Sequence, residues 1–107
     1  MQTIVTELYE QFKTIEKNFF GLMAETSTEP QRDSVRHIYS DAWTNYNAAI
    51  VRQFNSNDAR VKQAVEDLDA NTTKIENALA NLQNIAATIN TIDQLVKVAT
   101  EILTALP

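Results

Sequence analysis

The segment Ile85–Leu95, IAATINTIDQL, decides how this 107-residue chain folds, because a regular hydrophobic pattern changes phase within it. Before the change, residues recur at alternating spacings of three and four over four heptads, in the order Val61, Val65, Leu68, Thr72, Ile75, Leu79, Leu82, Ala86 and Ile89. After one extra spacing of three, the pattern resumes at Ile92, Val96, Ala99, Leu103 and Leu106. Such a phase change, a stammer in coiled-coil terms, either distorts a continuous helix or separates two helices.

Two arrangements satisfy this pattern. In one, the third helix ends near Thr88 and a fourth, from about Ile92 to Leu106, folds back; residues 91–94, TIDQ, match a capping box. In the other, a single helix of about 50 residues continues for about 70 Å. Its last part would extend beyond the other helices and expose a wide apolar face, which demands a partner chain. Because no glycine marks a helix end before Thr91, the sequence favours the straight or kinked helix.

The composition predicts an all-α protein. The chain has one Gly and two Pro, too few for the turns of a β-rich domain of this length. Hydrophobic residues make up 44% of the chain, which is enough for a core. The absence of cysteine excludes disulfides, thiolate nucleophiles and cysteine-ligated metals.

Heptad-like spacing predicts helices over about residues 2–25, 30–54, 58–90 and 91–106, the last two forming one long or kinked element in the favoured arrangement. Short connections make successive helices antiparallel neighbours. The sequence therefore predicts one domain over residues 1–107, an antiparallel bundle of three helices with a long or kinked C-terminal helix. A separate fourth helix from about residue 92 is the alternative.

The charge balance bears on partners and location. A net charge of -5 repels nucleic-acid backbones and anionic lipid surfaces, so neither is expected as a partner. Charged residues interrupt the N-terminal region, and no stretch of 18 apolar residues occurs, so neither a signal peptide nor a spanning helix is predicted. A cytoplasmic location fits these features.

Candidate catalytic and metal-binding groups are sparse. The single histidine, His37, lies at helical spacing from Asp33 and Asp41, but helical projection places it opposite the apolar arc of its helix. A solvated polar face is the expected explanation. One glycine permits no glycine-rich phosphate loop, and no nucleophile elbow is present. The sequence predicts a non-enzyme without metal or cofactor.

The sixteen residues Asn77–Ile92 carry no charge, and charge depletion is typical of the centres of protein interfaces. Together with the unpartnered C-terminal face, this predicts association with a second copy or another helical protein. The predicted partner-binding residues are Asn81, Asn84, Val96, Ala99, Leu103 and Leu106. On this hypothesis, Leu103→Asp would separate the assembly and leave the first two helices folded. Thr72, a polar member of the hydrophobic pattern, is expected to fix helix register.

Two other functions remain open from the sequence. The C-terminal amphipathic segment could lie in a membrane interface, although its polar strip carries one Lys against two acids. A small ligand could bind beside Tyr39, Trp43 and Tyr46. Trp43 and Phe54 lie at the edge of their apolar arc and are expected to be partly exposed or to meet another chain.

Overall fold

The computed structural model describes residues 2–107 as four helices: α1 (Ile4–Glu25), α2 (Glu29–Ile50), α3 (Ala59–Leu79) and α4 (Ile85–Ala105). Each is about 32 Å long. The all-α helical bundle is confirmed, with four helices of nearly equal length instead of three with a long one. Helix α2 ends four residues earlier than predicted, so Phe54 belongs to the following loop.

The chain reverses at residues 80–84, so the prediction of a continuous third helix is wrong. The alternative also placed the start of the fourth helix about seven residues too late. Asn84 caps α4, its Oδ1 accepting the Ala87 N–H at 3.1 Å. Asn81 Oδ1 accepts the Gln83 N–H, and the Thr88 hydroxyl donates to the Asn81 carbonyl at 3.1 Å. Asparagine side chains thus supply the turn chemistry, with no glycine needed.

The apparent phase change is explained by where α4 begins. Its hydrophobic pattern is regular from the first residue, at Ile85, Ile89, Ile92, Val96, Ala99, Leu103 and Leu106. Ile89 therefore belongs to α4. The pattern seemed to continue through the turn because Leu82 and Ala86 keep the spacing of three and four, and Leu82 packs half-buried against the core from the turn. The change of phase therefore marks the boundary between two separate helices and not a distortion within one helix.

The helices neighbour one another in the order α1, α2, α4, α3 around the bundle. The α1–α2 and α3–α4 hairpins are antiparallel, whereas α1 runs parallel to α3, with Gln11 beside Asn71, and α2 runs parallel to α4, with Asn45 beside Val96. Helices α2 and α3 are diagonally opposed, so the loop of residues 51–58 crosses one end of the bundle.

Arg52, in this crossover loop, holds the end of α4. Its Nη1 donates to the Leu103 carbonyl and its Nη2 to the Leu106 carbonyl, both at 2.8 Å, and Nη2 also reaches the Pro107 carbonyl at 3.2 Å. The guanidinium lies 4.8 Å from the centre of the Phe54 ring. A cation at these carbonyls is favourable because the C-terminal end of a helix is partially negative.

The core consists of two apolar clusters stacked along the bundle. One contains Phe12, Ile15, Leu22, Val35, Ile38, Ala42, Ile75, Ile89, Ile92 and Val96. The other, at the end with the crossover loop, contains Ile4, Leu8, Ala49, Val61, Ala64, Leu68, Ala99, Leu103 and Leu106. The face that would have been exposed on a continuous helix is therefore buried against the chain itself.

Between the two clusters lies a polar layer to which every helix contributes. Gln11 Nε2 donates to Asn71 Oδ1 at 2.8 Å and to Thr72 Oγ1 at 3.1 Å. Asn71 Nδ2 in turn donates to the Leu95 carbonyl at 3.0 Å, which links α1 to α4 through α3. On the other side, Asn45 Nδ2 approaches the Val96 carbonyl at 3.4 Å, and Thr100 Oγ1 donates to Asn45 Oδ1 at 2.9 Å. We refer to Gln11, Asn45, Asn71, Thr72 and Thr100 as the polar layer.

Leu103→Asp is now expected to unfold the bundle instead of separating an assembly. Leu103 is 4% exposed, and an aspartate there would bury a carboxylate among apolar side chains. We expect a loss of at least about 3 kcal/mol in the free energy of unfolding. Val98→Asp is the matched control, since Val98 lies in the same helix and is 41% exposed. Urea denaturation of both variants measures the difference; equal stability of the two would contradict this placement of α4.

Candidate functional site

Four of the six predicted partner-binding residues lie inside the chain's own core. Val96 and Ala99 are 0% exposed, Leu103 is 4% exposed and Leu106 is 9% exposed. They pack against α1, α2 and α3 and present no surface to a second molecule in this fold. The prediction that they form an intermolecular contact is corrected accordingly, because it assumed that α4 continued away from the bundle.

The other two, Asn81 and Asn84, are exposed in the α3–α4 turn. They border a shallow cavity of about 470 Å³ with Lys74, Asn77 and Thr91. Both side-chain oxygens already accept hydrogen bonds from backbone N–H groups. The structure of the turn is therefore enough to explain why asparagine occurs at these two positions. Partner binding by Asn81 and Asn84 stays a prediction.

The apolar side of α4 is also the surface that a membrane-interface function would require. It is buried in the bundle, so lipid would reach it only if the fold opened. Within residues 2–107, no helix combines the length and the apolar character that crossing a bilayer requires.

The most exposed group of aromatic and aliphatic side chains lies on the outer side of α1 and α2. Tyr9 is 44% exposed, Phe20 83%, and Trp43 and Ile50 48% each. Tyr46 lies half-buried among them. We call Tyr9, Phe20, Trp43, Tyr46 and Ile50 the aromatic face. Sequence projection placed Trp43 at the edge of the core, and its partial exposure is confirmed.

Ring contacts hold Tyr9, Trp43 and Tyr46 of the aromatic face in place. The buried Phe12 ring lies 5.0 Å from Trp43 and 5.3 Å from Tyr39, centroid to centroid. Tyr9 and Tyr46 are 5.3 Å apart, and Trp43 and Tyr46 6.1 Å. These rings fill the space between α1 and α2, so they form a packed surface where a ligand-binding bundle would need a cleft. A surface held in this way loses little conformational entropy on binding.

Most of the basic residues of α1 and α2 are paired within the chain, although these two helices carry seven acids and four Lys or Arg residues. The pairs are Lys13 with Glu16 at 2.6 Å, Arg32 with Glu29 at 2.7 Å and Arg36 with Asp33 at 2.7 Å. The ten residues 42–51 of α2 and its end carry no charge. The part of α2 that contains Trp43, Tyr46 and Ile50 is therefore uncharged in a chain of net charge -5.

Glu7 is the one acidic side chain among the buried residues of α1, at 1% exposure. Burial, together with the smaller effects of the neighbouring charges of Asp69 and Glu10, raises the pKa of its carboxyl to about 7. Among residues 2–107, its Oε2 and the Oε1 of Gln11, one turn along the helix, have no hydrogen-bond partner. A neutral carboxyl is therefore favoured at this position.

No cluster of three His, Cys, Asp or Glu side chains suited to a metal ion occurs within the part of the chain that the structure describes. His37 is exposed on α2, and Asp33 is paired with Arg36.

Comparisons of the chain with protein-family models, curated proteins and solved structures give no match. The function must therefore be argued from the surfaces and buried groups of the chain itself.

The raised pKa of Glu7 predicts a pH-dependent stability. Because the folded state binds this proton more tightly than the unfolded chain, in which the pKa is near 4.5, the free energy of unfolding falls as the pH rises from about 4.5 to about 7. The loss is expected to reach up to about 3 kcal/mol. Glu7→Gln removes the titration and should be more stable than the wild type at pH 8.

Urea denaturation at pH 5 and pH 8 measures this effect. Glu25→Gln is the control, since Glu25 is exposed in the same helix. If Glu7→Gln and Glu25→Gln show the same pH dependence, Glu7 is not the group responsible.

Proposed function

We propose that this protein is a non-enzymatic interaction protein that self-associates through the aromatic face. The observation that carries the proposal is Trp43, an indole held against the buried Phe12 ring yet 48% exposed. Leaving a large aromatic side chain half in water forgoes the stabilisation that its full burial would give. A second protein surface that covers the ring recovers it.

The composition of the aromatic face supports an interface. Tryptophan and tyrosine dominate the binding energy of protein interfaces because their rings bury a large area at a small entropic cost. The bundle measures 46 by 22 by 20 Å, so one long side offers roughly 900 Å², comparable with the roughly 800 Å² that each partner contributes to an interface of standard size.

Charge supports a second copy as the partner. Two copies of a chain with net charge -5 repel each other, and the repulsion is smallest where the facing surfaces are neutral. The uncharged residues 42–51, which include Trp43, Tyr46 and Ile50, meet that condition. A symmetric dimer places each Trp43 opposite the same face of the other copy.

Ile50→Lys tests this proposal by light scattering behind a sizing column, across a dilution series. The wild type should have twice the 12.1 kDa mass of one chain, falling toward 12.1 kDa on dilution. Ile50→Lys places a charge at the same position in both subunits and should have the mass of one chain throughout. Val98→Lys, which changes an exposed valine on α4, should keep the wild-type mass.

Circular dichroism melting of each variant checks that the bundle is folded. A wild-type mass of 12.1 kDa at all concentrations would overturn self-association, as would an Ile50→Lys variant that dimerises as strongly as the wild type. The predicted cytoplasmic location and the predicted absence of catalysis and cofactors accompany this proposal as predictions.

A further inference from the structure

A second surface feature lies at the end of the bundle where the crossover loop runs past the first turns of α1 and α3. It is a cavity of about 710 Å³, about twice the volume of a neighbouring groove between α1 and α3, which measures about 340 Å³. Binding sites for small molecules typically have volumes of about 300–1,000 Å³. We call this feature the end pocket.

The inner part of the end pocket is apolar. Its aliphatic and aromatic lining residues are Ile4, Val5, Phe54, Val61 and Val65. Val5, Val65 and Phe54 are half-buried and pack on the adjacent apolar cluster, so the pocket continues the core outward. A ligand part that enters it must be apolar to gain free energy from leaving water.

The charged residues that border the pocket are Arg52, Lys62 and Glu66, an excess of one positive charge. Lys62 is absent from the ion pairs formed by residues 2–107. The three hydrogen bonds of Arg52 go to the main-chain oxygens of Leu103, Leu106 and Pro107, which leaves two of its five N–H donors unused.

We propose that the end pocket binds an amphipathic monoanion, specifically a medium-chain aliphatic carboxylate. The alkyl chain lies against Val5, Val61 and Val65, and the carboxylate meets the Lys62 ammonium beside Arg52. A single carboxylate can pair with the Lys62 ammonium, whereas the second negative charge of a dianionic phosphate ester would meet the Glu66 carboxylate. This inference does not rest on self-association, since it concerns the α1–α3 side of the molecule and not the α1–α2 side.

Titration of the wild-type protein with octanoate and with decanoate, below their micellar concentrations, tests the proposal by amide chemical-shift changes. Saturable shifts are expected at residues 4–5, 54 and 61–65. Each further methylene that enters the pocket should raise the affinity about four-fold, so decanoate should bind more tightly than octanoate. Heptylammonium, with the same seven-carbon alkyl chain as octanoate and the opposite charge, should bind at least about five-fold more weakly than octanoate.

Two matched variants identify the cation. Lys62→Glu should weaken octanoate binding at least about five-fold. Lys74→Glu makes the same charge change in the same helix at a residue outside the end pocket and should leave the affinity within about two-fold of the wild type.

Three results would overturn the inference: no saturable shift with either carboxylate, equal binding of octanoate and heptylammonium, or equal weakening by the two lysine variants. The mass measurement of the preceding section is independent of these titrations, so failure of one proposal leaves the other standing.

Discussion

The hydrogen bonds of the polar layer fix how the four helices lie relative to one another. Apolar contacts are non-directional, and a helix shifted by one turn would still bury many of the same leucines and isoleucines. The amides of Gln11, Asn45 and Asn71 do not tolerate such a shift. Each would move into an apolar cluster and lose its partner, at a cost of about 1–3 kcal/mol per unsatisfied group. Because every helix contributes to the layer, one register gives the NH2 groups of all three amides their acceptors together, with the Oε1 of Gln11 left unpartnered among residues 2–107.

The fold class and much of the core follow directly from the sequence. Scarcity of glycine and proline excluded a β-rich domain, and heptad-like spacing placed the ends of α1 and α2 to within about four residues. The position of the chain reversal did not follow, because two residues in or beside the turn, Leu82 and Ala86, keep the helical spacing by coincidence. Asn84 could have indicated the chain reversal, since asparagine both caps and interrupts helices. A glycine was instead expected to mark the end of the helix.

The polar layer was only partly predicted. Thr72 attracted attention as a polar member of the hydrophobic pattern, and it is buried and accepts a hydrogen bond from Gln11. Gln11, Asn45 and Asn71 each lie three residues after a buried apolar residue in their helix, at Leu8, Ala42 and Leu68. That spacing places them on the core side of each helix. The hydrogen-bond partners of Gln11 and Asn45, however, lie 51–61 residues away in the sequence. A local sequence pattern does not reveal such distant pairs.

The prediction of the partner-binding residues depended on the turn between α3 and α4. If the chain continued straight through residues 80–84, the apolar side of α4 would form an intermolecular surface; because the chain reverses there, that side forms part of the core. The residues concerned are Val96, Ala99, Leu103 and Leu106. Once α4 folds back, the exposed apolar surface moves to the opposite hairpin. Tyr9 and Phe20 lie on α1, and their exposure became evident only in the structure, where α1 packs against α2 and α3.

The crossover loop has a consequence for how two copies of the chain can combine. Its eight residues span at most about 27 Å when extended, ample for the diagonal of roughly 14 Å between opposed helices packed 8–10 Å apart. The α1–α2 and α3–α4 hairpins are each continuous in sequence and meet only through this loop and their shared core. A shortened loop would leave both hairpins able to form but unable to meet within one molecule. Each would then pair with the complementary hairpin of another copy, a domain swap that preserves every buried contact.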